Sequence, residues 1–410
     1  MKIGLLRETK IPVDNRVALS PAQAARLQTC YPGVTVVAQA SAIRAFADDE
    51  YRAAGIQVVE DVSDCDLLLG IKEASVGTLL PERHYVFFGH LAKMQLGNRP
   101  LLQAMIRRRI TFSDYEYMVD GQGIRVCAFG WWAGVVGVYD TLRGYGLRTG
   151  LFELPEPDPH FTLDRLKKNL RAIDLPPVKM VLTGRGRTAK GAQYILEEIG
   201  ADILPVEDYL AAGSVDRLTC TFAYIDSLVR PVDGSAFFSV ADFHAHPSRY
   251  TSHFMRFAKA SDILVCCHYW GIEDPVYLSE ADYRTPGFRI RMIGDVTCDI
   301  KGSVKSTLRA STHMDPFYDY NPLTEQEEMA FSSAGNITVM AVDTCPNALP
   351  RDASDYFGAR FCEYVLEPLL RGEDSSVLRR STILREGQLT PGFQYLSDFA
   401  DDRFLPHCQS

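Results

Sequence analysis

The sequence predicts an α/β protein made of two doubly wound parallel-sheet domains, and three observations carry that expectation. Short apolar, partly β-branched runs alternate with helical patterns along most of the chain, as parallel strands and their covering helices do. One stretch, VKMVLTGRGRTAKGAQYILEEIGADILPV (178–206), has the order and length of a complete β-α-β crossover. The 410 residues exceed what one ordinary core organises.

Taken in order, Met1 to Glu8 reads as a strand, and Ser20-Pro21 after it as a helix entry with proline in the first turn. Val34 to Ala38 is a second strand and Asp48 to Ala54 a helix. Leu67 to Ile71 is an apolar strand ending in Lys72-Glu73, and Tyr85 to Phe88 another, ending in Gly89-His90. Leu101 to Arg108 is helical, and Ile110 to Phe112 leads into Asp114-Tyr115-Glu116. Ionisable residues thus follow several strand ends, where open α/β sheets bind ligands. A glycine-broken helical run, Trp131 to Leu147, leaves this first domain. Beyond the crossover unit, 208–260 reads as a long insertion, with further strands at Ile263–Cys267, Ile290–Ile293 and Ile337–Val342. A helix entered through Pro350 can return to the first domain. The expected division is 1–140 with 350–385, a connecting segment 141–176, a dinucleotide-binding domain 177–349, and a tail 386–410 without clear organisation.

The crossover carries a G-x-G-x-x-A loop, Gly184 to Ala189. Gly184 permits a tight turn, Gly186 lets backbone N–H groups approach a pyrophosphate, and small Ala189 lets helix and strand pack closely. The phosphates would meet the positive end of a helix dipole beside Arg187 and Thr188. Glu207, 23 positions after Gly184, is the acid expected on a ribose hydroxyl. An ordinary β-α turn is the bland alternative.

A net charge of −9 and a pI near 5.5 argue against a general nucleic-acid binder. No signal peptide is visible at Met1, and the most apolar stretch, Val126 to Val138, is too short to span a bilayer. Ten cysteines without C-x-x-C spacing suit reduced, mostly buried thiols in a cytoplasmic protein. His244, His246 and His253 invite a zinc reading, but no further ligand cluster accompanies them, so no metal is expected.

An ordered set of fragments runs along the chain: Arg16-Val-Ala-Leu-Ser-Pro21, Gly70-Ile-Lys-Glu73, Phe87-Phe-Gly-His90 with Lys93, and Asp114-Tyr-Glu-Tyr-Met-Val-Asp120. Arg125 to Gly130, Trp132-Ala-Gly134, Gly184 to Gln193, His246-Pro-Ser-Arg-Tyr250, Tyr269-Trp270, Asp295 to Asp299 and Leu349-Pro350 complete it. The set resembles the superfamily of alanine dehydrogenase and lysine-forming saccharopine dehydrogenase. The nearest likeness is to the lysine-2-oxoglutarate reductase domain of the bifunctional lysine-degradation enzyme. The resemblance implies two Rossmann-like domains with a cleft between them, the second inserted into the first. It also implies NAD(P)-dependent reductive condensation of an amino-acid amine with a 2-oxo acid.

For that chemistry the resemblance marks Lys72 and His90 as the acid/base pair and Arg16 as the clamp for a substrate carboxylate. Lys93, Glu116 and Arg125 are further substrate-binding candidates, Glu116 holding the amine substrate or merely pairing with Arg125. Cys267, Asp295 and Asp299 border the cofactor, either aspartate being alternatively a strand-end cap. Taken singly, Lys72 fits a solvated strand-end lysine, His90 a hydrogen-bonded structural histidine, and Arg16 a surface ion pair. The basic loop residues Arg185 and Arg187 suit NADP, whereas Glu207 would repel its 2′-phosphate; the balance leans slightly to NAD. The rivals are an ammonia-using amino-acid dehydrogenase and a catalytically silent nucleotide sensor. The expected ligands are small molecules, an amino acid and a 2-oxo acid.

Overall fold

The computed structural model describes residues 1–235, 238–373 and 375–401. The chain forms two compact units: Met1–Phe129 together with the segment from Pro350 onward, and Gly130–Leu349.

In the first unit the chain runs β1 (Lys2–Leu5), α1 (Pro21–Cys30), β2 (Thr35–Gln39), α2 (Asp48–Ala53), β3 (Gln57–Val59), β4 (Leu67–Lys72), β5 (His84–Phe88), α3 (Arg99–Arg107) and β6 (Thr111–Asp114). These strands pair in parallel in the order β6-β5-β4-β1-β2-β3. The order reverses between β1 and β4, so the loops after those two strands open onto a topological switch point. β4 is buried from Leu67 through Ile71, which explains its unbroken apolar run. α1 starts where expected: Pro21 opens it, and the Ser20 N–H donates to Gln23 Oε1 at 3.0 Å.

The second unit begins with α4 (Gly130–Thr149) and α5 (Leu163–Arg171). The glycine-rich helix thus belongs to this unit, not to the first domain or a connector beyond residue 140. Next come β7 (Lys179–Thr183), α6 (Arg187–Glu198), β8 (Asp202–Ile203), α7 (Val206–Ala211), β9 (Thr219–Ala223) and α8 (Ile225–Leu228). A two-stranded antiparallel ribbon, β10 (Val229–Pro231) with β11 (Tyr250–Ser252), flanks α9 (Val240–Ala245). The chain continues through α10 (Met255–Ala260), β12 (Ile263–Cys266), β13 (Met292–Asp295), β14 (Phe317–Asn321), β15 (Gln326–Glu328) and β16 (Ile337–Met340). The sheet order is β15-β14-β16-β13-β12-β7-β9-β8, parallel except at β14 and β15. Its switch point lies between β7 and β12.

α4 packs directly on α6. A Cβ on Gly134 would stand 1.8 Å from the Thr188 carbonyl oxygen, so only a residue without a side chain allows that approach. The glycines that break the helical pattern in sequence are what let α4 brace the helix behind the phosphate loop.

The chain then re-enters the first unit through α11 (Pro350–Phe361). Ser354 Oγ accepts from the Val17 N–H at 2.9 Å, and Phe357 stacks on Phe129 with centroids 4.6 Å apart. The following residues add β17 (Thr382–Arg385), antiparallel to β6, and β18 (Gln388–Leu389), antiparallel to β17. Residues 386–401, expected to lack organisation, therefore complete a hairpin on the sheet edge and continue into short helical turns. No helix among the described residues is long and apolar enough to cross a membrane.

Candidate functional site

The first unit gathers its ionisable residues at the C-terminal ends of three adjacent strands. Lys72 ends β4 and lies opposite Phe88 of β5; His90 follows two residues later. Glu116 follows β6 by two residues, in a turn capped by Asp114, whose Oδ1 accepts from the Glu116 N–H at 2.9 Å. Asp114 is fully buried, and its other oxygen accepts from the Gly89 N–H at 3.0 Å, tying the His90 loop to the Glu116 turn. Burial pushes the Asp114 carboxyl up to about 6 against those two donors. His90 itself takes a left-handed backbone conformation (φ 52°), with its carbonyl accepting from Asn98 Nδ2 at 3.3 Å.

Glu116 is the hub. Lys93 Nζ and Arg125 Nη2 each stand 3.2 Å from Oε1, and His90 Nδ1 is 3.5 Å from Oε2. Burial raises its carboxyl, but the His90 contact and the charges of Lys93 and Arg125 outweigh that and hold it at about 2. Glu116 therefore does pair with Arg125, and with Lys93 as well.

Arg16 is placed differently from a surface ion pair. It is 5% exposed, stacks its guanidinium 4.2 Å from the Phe129 ring centroid, and is held by Asp14 at Nε (2.9 Å) and Nη2 (2.5 Å). Asp14 is 1% exposed; burial raises its carboxyl, yet Arg16 overcomes this and leaves it below the ordinary value. One edge of the guanidinium is thus occupied from within by Asp14.

In the second unit a cavity of about 410 Å³ sits at the switch point. Gly184, Arg185, Gly186 and Thr188 line it after β7, Tyr224 and Ile225 after β9, and Cys267 and His268 after β12. Gly184 has φ +91°, and a Cβ there would lie 2.7 Å from the Cys267 carbonyl oxygen. Gly186 forms the N-cap of α6 with open space where a side chain would be, so a phosphate can approach the first-turn N–H groups, next to the half-buried Arg187. Ala189 is buried against the sheet side of α6. These residues fit a dinucleotide pyrophosphate. Cys267 lines the cavity, and burial raises its thiol far above the ordinary value.

His268, which carried no signal in the sequence, locks this corner. Its Nδ1 is 2.6 Å from Thr183 Oγ1 and its Nε2 2.9 Å from Ser303 Oγ; burial pushes it down to about 3, so it stays neutral. Asp295 is the strand-end cap rather than a free carboxylate. It is 1% exposed and accepts from the Thr297 and Cys298 N–H groups and the Thr297 and Thr307 hydroxyls. Asp299 lies half-buried four residues on.

Glu207 requires a correction. The strand expected over Ile203–Val206 is only Asp202–Ile203, and it lies at the sheet edge; Val206 already begins α7. Glu207 is 80% exposed and pairs with Arg256 at 3.2 Å, away from the cavity lining. The strand beside β7 is β9, in register Thr183↔Ala223, so the cavity is lined there by Tyr224 and Ile225, with exposed Asp226 next in sequence. The T-C-T-F-A run of β9 was the available signal; its threonines and cysteine hid it inside the presumed insertion.

Two Rossmann-like units, one with a glycine loop at its switch point and one with ionisable groups at its strand ends, make up the α/β architecture. The chain is similar to alanine dehydrogenases and lysine-forming saccharopine dehydrogenases. Residues 4–136 match the alanine dehydrogenase/PNT N-terminal domain family. Alpha-aminoadipic semialdehyde synthase of Arabidopsis thaliana is 31% identical over 96% of this chain and 41% of its own length. The NAD(+), L-lysine-forming saccharopine dehydrogenase of Neurospora crassa is 26% identical over 87% of this chain and 88% of its own. A solved L-alanine dehydrogenase superposes with TM-score 0.65 at 19% identity, covering 97% of this chain and 99% of that one, and shows the shared fold. The chain spans less than half the length of the semialdehyde synthases it matches.

Proposed function

We propose that this protein is a nicotinamide-dependent oxidoreductase of the CH–NH group, condensing lysine with 2-oxoglutarate to form saccharopine, or running that reaction in reverse. The observation that carries the reading is the set of Lys72, His90 and the Glu116 hub on three adjacent strand ends, in a chain similar along most of its length to a lysine-forming saccharopine dehydrogenase.

Lys72 and His90 handle protons in turn. One removes a proton from the substrate ammonium, so that the free amine attacks the ketone carbon. The other protonates the carbinolamine oxygen, which leaves as water. When bound, the reduced nicotinamide supplies hydride to the imine carbon. Arg16, oriented by Asp14 and Phe129, presents its remaining edge to a substrate carboxylate. Glu116 gathers Lys93 and Arg125 beside His90 and sets the charge around that imidazole.

We assign NAD(H) as the cofactor, with the exposed Asp226 carboxylate, three residues past β9 in α8, taking the ribose-discriminating role. The described cysteines are all free thiols, which suits a reducing compartment such as the cytoplasm. The test is NADH oxidation with 2-oxoglutarate plus lysine against pyruvate plus ammonium. Turnover with the first pair and a saccharopine product supports the assignment; turnover with the second pair alone overturns it.

A further inference from the structure

β4 outlasts its neighbour. The last ladder bond from the β1 side is the Leu6 N–H donating to the Leu69 carbonyl at 2.8 Å, after which the chain turns away from the sheet. On the other flank the β4–β5 register shifts between Leu69 and Lys72. The final N–H groups of β4, those of Ile71 and Lys72, therefore lie beyond the regular ladder. Both are taken by one carboxyl group: Ile71 donates to Glu8 Oε1 at 2.6 Å and Lys72 to Glu8 Oε2 at 2.9 Å. In a regular strand successive N–H groups point to opposite sides, so their meeting on one residue is what the register break permits. Glu8 stands three residues beyond β1 and bridges to β4 across the switch point.

We infer that Glu8 is the positioning residue for Lys72, fixing the strand end from which the lysine side chain leaves. This inference rests on the proposed acid/base role of Lys72. Phe88 of β5 pairs with Lys72 on one flank, and on the β1 flank, where no ladder residue remains, the Glu8 carboxyl holds the Ile71 and Lys72 N–H groups. The same group also places a titratable charge beside the lysine. Its carboxyl head is withdrawn from solvent; burial pushes it up to about 8, against the two N–H donors. Asp14 and Arg16 face it from the loop after β1 and Tyr115 from the turn after β6; Lys72 of β4 meets it through its backbone N–H while its charge acts on Asp14, and the Lys10–Glu73 pair lies in the same loops. Losing the Glu8 proton around pH 8 adds a negative charge near the Lys72 ammonium and favours its charged form.

The test compares wild type, Glu8→Gln and Glu8→Asp. Glutamine keeps one carbonyl acceptor but turns an amide N–H₂ toward a donor; aspartate keeps the charge but falls short of spanning both N–H groups. The full chain is reductively ¹³C-methylated and the Lys72 resonance, identified by its loss in Lys72→Arg, is followed from pH 6 to 11. Expected is a step near pH 8 in wild type that is absent in Glu8→Gln and shifted in Glu8→Asp. In turnover, kcat falls about 10-fold or more in Glu8→Gln with KM little changed, and Glu8→Asp recovers part of it. An unaltered Lys72 titration in Glu8→Gln overturns the inference, as does a loss of thermal stability with an unmoved pH profile. Lys72→Met in parallel separates the two ideas. An inactive Lys72→Met beside a wild-type-like Glu8→Gln refutes only the role of Glu8; a fully active Lys72→Met refutes the acid/base reading itself.

Discussion

His90 Nδ1 stands 3.5 Å from Glu116 Oε2, while Lys93 and Arg125 hold the other oxygen of the same carboxylate. The side chain is 13% exposed, so three positive or titratable groups depend on one largely covered negative charge. Its carboxyl is held at about 2 against an ordinary 4.5. A depressed folded value stabilises the protein above the unfolded value, and that contribution is lost as pH falls from about 4.5 toward 2.

Glu116→Gln is therefore expected to be less stable than wild type at pH 7, with the difference narrowing in acid. The full shift corresponds to about 3 kcal/mol, and solvent screening at this depth brings it to about 1–2 kcal/mol. Urea unfolding at pH 7 and pH 3.5 checks this. A difference that stays constant between those pH values contradicts the hub.

Asp226→Asn should weaken NADH binding about 10-fold and leave NADPH binding unchanged or improved, because a charged hydrogen bond to a ribose hydroxyl is worth about 1.5–3 kcal/mol. Glu207→Gln, at a residue already paired with Arg256, should leave both unchanged. Fluorescence titration with each reduced cofactor reads the outcome. A larger effect from Glu207→Gln would return the ribose site to α7.

Much of the first unit was legible because its chemistry follows its strands. Lys72 and His90 each end an apolar run, and a residue just past a buried parallel strand has few places to point. The hub around Glu116 was only half legible: its partnership with Arg125 was an open alternative, but Lys93 comes from a separate turn. The surface ion pair that Arg16 suggested in sequence is instead a buried one, since its burial beside Phe129 is a tertiary fact. β9 escaped notice because threonine and cysteine dilute an apolar run, although both fit a buried strand whose side chains find partners. With β9 in place, Glu207 falls on α7 at the sheet edge rather than after the strand beside β7. The final hairpin was hidden because strands this short take their stability from the edge they join.

Gly134→Ala should disturb the nucleotide unit from behind. The added Cβ meets the Thr188 carbonyl at 1.8 Å and the Ala192 nitrogen at 2.8 Å, both backbone atoms, so α4 or α6 has to shift. A cost of about 1–3 kcal/mol follows from overpacking, with NADH affinity falling several-fold as the phosphate loop moves with α6. Thermal denaturation and NADH titration together measure it; unchanged values in both would mean the helices give way freely.

The central claim is that Lys72 and His90 move the protons of a nicotinamide-linked amine condensation. The most direct measurement is NADH oxidation with lysine and 2-oxoglutarate by Lys72→Met and His90→Gln, with NADH binding followed by fluorescence in the same samples. The account predicts binding within about twofold of wild type and turnover lowered at least about 100-fold in each variant. Near-normal turnover in both would contradict it.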